Sequence, residues 1–63
     1  MQPHQQRVVD EQTELADRLA KLTDFLSKSQ PSFIDDAEWQ RLTNQHMHMN
    51  EYNEILIDRI NHF

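Results

Sequence analysis

The chain has 63 residues, with six Lys and Arg against eleven Asp and Glu, a formal net charge of −5, and neither Cys nor Gly. Without Cys it has no disulfide or thiolate zinc site to staple a small core, and without Gly it has no phosphate-cradling loop of the Walker or Rossmann type. A chain this short buries a small share of its surface, so oligomerisation is the expected support.

The first predicted element is a helix over about residues 4–28. Pro3 suits the first helical position, where its missing N–H costs nothing. Val8, Leu15, Leu19, Leu22 and Leu26 recur at helical spacing, and Val9, Ala16 and Phe25 widen that face beyond a coiled-coil seam. Gln12 interrupts it. The opposite side carries Asp10, Glu14, Asp17, Arg18, Lys21 and Asp24, in which Glu14–Arg18 and Asp17–Lys21 are i,i+4 pairs of favourable order.

A loop over about 29–34 follows, because Pro31 cannot continue a helix and biases Gln30 out of the helical region. The next start is marked twice. With Asp35 as N-cap, Glu38 stands at the third position as in a capping box, and Ile34 and Trp39 occupy the positions of a hydrophobic staple. The second helix is expected over about 36–61. Trp39, Leu42, His46, Met49, Asn53, Leu56, Ile60 and Phe63 follow three-four spacing, with Tyr52 and Ile55 widening the stripe and Met47 and Ile57 elsewhere.

Two helices of roughly 37 Å joined by a short loop imply an all-α antiparallel hairpin, a single domain over 1–63. Two layers cannot cover Val9, Phe25, Tyr52, Ile55 and Ile57 as well as the main seams. The hairpin is therefore expected to assemble into a homo-oligomeric bundle of closed symmetry. Gln12, His46 and Asn53 on the apolar stripes read as polar seam residues that fix register.

Little in the chain points to catalysis or metal. His46 and His48 lie about 200° apart around a helix and cannot share a metal within one chain. His4 and His62 meet only as the two ends of a hairpin. No Ser or Thr stands beside a His as an activated nucleophile, and adjacent carboxylates such as Asp10–Glu11 do not face one another. The expectation is no enzyme, no metal and no cofactor. The acidic balance argues against long nucleic acid, and no apolar run approaches the roughly 18 residues of a membrane span. The segment MQPHQQRVVDE has no signal-peptide core, which fits a cytoplasmic protein. The six cations, Arg7, Arg18, Lys21, Lys28, Arg41 and Arg59, are scarce; each is either a solvated surface charge or part of a phosphate site between subunits.

The runs Arg7-Val8-Val9-Asp10-Glu11, Glu14-Leu15 and Lys21-Leu22-Thr23-Asp24-Phe25-Leu26, with Met49-Asn50-Glu51-Tyr52-Asn53-Glu54-Ile55-Leu56 and Asp58-Arg59-Ile60, resemble the two halves of a small phage family. This family is the anti-CBASS sponge proteins, which bind the cyclic oligonucleotide signals of bacterial cGAS-like immunity. The resemblance covers nearly the whole chain except the loop. It implies a hexamer of helical hairpins in the cytoplasm of the infected bacterium, holding cyclic dinucleotides such as 3′,3′-cGAMP between protomers. Some members of the family also take cyclic trinucleotides at a separate site.

Residue by residue, the resemblance places Lys21 on phosphates and Thr23 with Arg59 on the trinucleotide, and Arg7 is expected to join Lys21 on the phosphates. The family has an aromatic near the start of helix 1 that stacks on a base. No Phe, Tyr or Trp precedes Phe25 here, and His4 is the ring at that place, beside Gln6 and Arg7. The reading from another class is a non-enzymatic helical dimer or tetramer whose apolar faces bind a protein partner, with every cation a surface pair.

Overall fold

The computed structural model describes residues 1–63 as two helices without a strand: α1, Pro3–Leu26, and α2, Asp36–Asn61. They lie antiparallel in a hairpin measuring 47 × 15 × 14 Å. Neither helix is long and apolar enough to cross a membrane.

Local chemistry explains each helix end. Pro3 opens α1, and the Gln2 backbone N–H donates to Gln5 Oε1 at 2.9 Å, so the first turn holds its own entry. α1 ends at Leu26, where the apolar and polar pattern alone runs to about 28. The Ser27 hydroxyl donates to the Asp24 carbonyl at 2.6 Å, and the Ser27 N–H meets the Thr23 and Asp24 carbonyls at 3.0 and 3.3 Å. This tightened last turn satisfies carbonyls that the departing chain leaves open.

Gln30, which stands before the breaking Pro31, ties the loop together. Its amide donates to the Ile34 carbonyl at 2.9 Å and to Asp36 Oδ1 at 3.0 Å. Asp35 then caps α2 by accepting the Glu38 N–H at 2.7 Å. The reciprocal half of the capping box is not made, because the Glu38 carboxylate pairs with Arg41 at 3.0 Å instead. Of the two ion pairs expected on α1, Asp17–Lys21 forms at 3.0 Å, whereas Glu14 and Arg18 do not pair.

The core is thin. Val8, Leu15 and Leu56 are buried, with Met49 and Ile60 packed against them. Leu56 alone is fully enclosed, which contributes on the order of 1.5–3 kcal/mol. The α2 stripe faces inward from Trp39 through Leu42, His46, Met49, Asn53 and Leu56 to Ile60, and Phe63 falls outside it, exposed. At the loop end the Phe25 and Trp39 rings pack at 5.9 Å and 48°. Tyr52, Ile55 and Ile57 remain on the surface. The hairpin exposes 4855 Å², against about 4,300 Å² for a compact monomer of its mass. That surplus is the cost of having two layers.

Candidate ligand-binding site

The seam between the helices is cross-linked by polar pairs. Gln12 Nε2 donates to Asn53 Oδ1 at 3.1 Å, partly buried, and the Tyr52 hydroxyl donates to Glu11 one position away. Nearer the loop, Thr23 Oγ1 lies 2.7 Å from His46 Nε2. No buried side-chain polar atom lacks a partner. Sliding one helix against the other would separate Gln12 from Asn53 and leave both amides facing apolar neighbours, so the pair fixes register. All three polar stripe residues therefore face a partner across the hairpin or on its edge.

This register also locates the candidate ligand residues. Glu11–Tyr52, Gln12–Asn53, Thr23–His46 and Phe25–Trp39 show that residues at equal distance from the loop face one another. Arg7 and Arg59 accordingly reach the same level at the open end, as do His4 and His62. Lys21 and Thr23 belong to the loop half. Fourteen residues separate Arg7 from Lys21, about 21 Å along the helix axis. One hairpin therefore brings His4, Arg7 and Arg59 to one end and Lys21 with Thr23 towards the other, and it does not unite all five.

All five are exposed. Lys21 is engaged only with Asp17, in a pair whose side chains are 76% and 66% exposed. Such a pair contributes little and releases its cation readily. Arg7, Arg18 and Arg59 have no ion-pair partner in the hairpin. Three unpaired guanidinium groups in a chain of net charge −5 are uncommon company for eleven carboxylates. Each keeps its fork of donors free for a carboxylate or phosphate.

Two open grooves line the loop half. One, of about 540 Å³, runs past Ala16, Leu19, Ala20, Thr23 and Asn53. The other, of about 380 Å³, is bounded by Thr23, Leu26, Ser27, Trp39, Thr43 and His46. Thr23 belongs to both, and no cation lines either. No three His, Asp or Glu side chains converge as a metal ligand set. His62 turns to its own helix, its Nδ1 2.7 Å from the Asp58 carbonyl. The Thr23–His46 contact and the Gln30 clamp escape a reading of stripes. The first follows once the hairpin is folded at the loop and residues are counted outward along both helices. The second depends on a rotamer that spacing does not encode.

A protein-family model described as Sequestin matches residues 2–62. No curated protein matches the chain, and no solved structure does.

Proposed function

The chain belongs to the Sequestin family, and from that premise we propose that it is a phage sponge for cyclic oligonucleotides. It captures cyclic dinucleotides such as 3′,3′-cGAMP, and cyclic trinucleotides at a second site, so that the CBASS effector of the infected bacterium loses its activator. The family match over nearly the whole chain carries this reading, and its name denotes sequestration. The resemblance of both helices to anti-CBASS sponges agrees with it.

The reading makes physical sense of the separated cations. Arg7, Arg18 and Lys21 fall close to one line along α1, since 11 and 14 residues are nearly whole numbers of turns at about 3.6 residues each. Laying two hairpins antiparallel through these faces brings Arg7 of one to Lys21 of the partner subunit, at each end of the contact. A cyclic dinucleotide, with two phosphates related by near two-fold symmetry, suits such a pairing. His4 beside Arg7 offers a ring to a base. Cations removed from water at an interface attract a dianion far more strongly than a net charge of −5 repels it.

The proposed assembly is a homohexamer in the host cytoplasm. It also answers the surplus surface, because Tyr52, Ile55 and Ile57 are exposed on a single hairpin. No bond is made or broken: the protein acts by stoichiometric binding, not as an enzyme, and uses no cofactor or metal.

Isothermal titration of the oligomer, its mass fixed by light scattering, tests this directly. Six chains and a saturable heat with 3′,3′-cGAMP are expected. A folded oligomer that gives no heat with any cyclic di- or trinucleotide overturns the proposal in favour of a protein-interaction module.

A further inference from the structure

Thr23 stands where the trinucleotide is proposed to bind, and its hydroxyl is held by a residue that no ligand needs to touch. Thr23 Oγ1 lies 2.7 Å from the Leu19 carbonyl oxygen and 2.7 Å from His46 Nε2. Two oxygens at that separation repel unless a proton lies between them, so the single hydroxyl proton points to Leu19. The Thr23 oxygen is then the acceptor towards His46, and His46 must present Nε2–H.

This arrangement has a directional consequence. The Leu19 carbonyl already accepts the backbone N–H four residues on, as in any helix. It therefore keeps one partner when the Thr23 hydroxyl turns away and the two oxygens move apart. His46, half-buried on the inner stripe of α2, occupies one lone pair of Oγ1 and fixes the oxygen from the other helix. Only the proton is left free to rotate. When Thr23 hands it to a ligand acceptor, such as a phosphate oxygen, the Leu19 carbonyl keeps its backbone partner, the 2.7 Å contact between the two oxygens lengthens, and His46 stays on Oγ1.

Donation from the imidazole also polarises the hydroxyl towards giving its proton in a hydrogen bond. Thr43 and Ser27, on the same groove, direct their hydroxyls to the Trp39 and Asp24 carbonyls of their own helices. Neither has a donor from across the seam. Thr23 is distinguished by that cross-helix bond.

We propose that His46 is a positioning residue for ligand binding at Thr23: its Nε2–H holds the Thr23 oxygen so that the hydroxyl is presented as a donor to a phosphate oxygen. The inference rests on the sponge reading, in which Thr23 serves the trinucleotide and not the dinucleotide. A long-range ¹H–¹⁵N spectrum of the free protein should show His46 carrying a proton at Nε2; a ring bare at Nε2 overturns the inference.

Titration with cyclic tri-AMP and with 3′,3′-cGAMP then reads the function. His46→Leu should weaken cyclic tri-AMP by about threefold to tenfold, the range of one lost hydrogen bond, and leave 3′,3′-cGAMP unchanged. His46→Gln, whose Nε2 donor reaches the same place, should restore binding. In a Thr23→Val background, His46→Leu should cost nothing further. Loss of both ligands together marks a structural role and overturns the inference, as does an unchanged affinity for cyclic tri-AMP. Wild-type protein that binds 3′,3′-cGAMP alone also overturns it and leaves the sponge reading standing. Binding of neither ligand sinks both.

Discussion

Leu56→Ala is the most exacting test of how this hairpin is held together. Leu56 is 0% exposed and is the one fully enclosed side chain in the protein. Buried Leu→Ala changes cost about 2–5 kcal/mol, with the size set by how far the surroundings collapse into the space. Here the neighbours Met49 and Ile60 are only partly buried, so they are free to move inward, and the lower half of that range applies, about 2–3 kcal/mol. Total stability for a chain of 63 residues is on the order of 3–9 kcal/mol, so the substitution removes a large part of it.

For a domain near 60 residues each kcal/mol moves the midpoint by roughly 8 °C, giving a fall of about 16–24 °C. The assay is thermal and urea unfolding followed by circular dichroism at 222 nm. Chain concentration is held fixed, because association adds to apparent stability. Glu54→Ala, at an exposed position without a side-chain partner, is the control and should stay within about 0.5 kcal/mol. A Leu56→Ala loss no larger than the control's would refute the placement of Leu56 at the centre of the core.

Three further outcomes follow from named contacts. Gln12→Leu should destabilise by about 1–3 kcal/mol by leaving Asn53 without its partner, whereas Gln12→Leu with Asn53→Leu should be near neutral; urea titration of both separates the cases, and the double variant should show a broader spread of oligomers by light scattering. Asp35→Ala removes the cap on α2 and should lower stability by about 1 kcal/mol, measured as helix content lost on mild heating. Lys21→Ala should leave unfolding within about 0.5 kcal/mol, since its ion pair with Asp17 is solvent-exposed. The same variant should markedly weaken 3′,3′-cGAMP in calorimetry, and equal affinity would remove Lys21 from the site.

The sequence by itself determined what depends on near neighbours along the chain. Helical periodicity repeats within four residues, so the stripes from Val8 to Leu26 and from Trp39 to Ile60 were readable, as were the break at Pro31 and the cap at Asp35. The hairpin follows from those elements, because two amphipathic helices on a short loop bury their stripes only by folding together. Tertiary structure decided what depends on two distant segments at once. That Gln12 meets Asn53, and Thr23 meets His46, is set by the loop's length and the packing of the whole seam.

Side-chain choices among competing partners were also beyond spacing: Glu38 turns to Arg41, Ser27 ends α1 early, and Arg18 leaves Glu14 unpaired. The candidate site shows the same division. Its cations could be picked out by their scarcity, and Arg7 and Lys21 spaced by counting along α1, but Arg59 comes level with Arg7 only once the helices are folded against each other in a rod about 47 Å long. On a single hairpin the positive charges stay apart along the rod, and that is the physical reason the proposed ligand site is shared with a second copy.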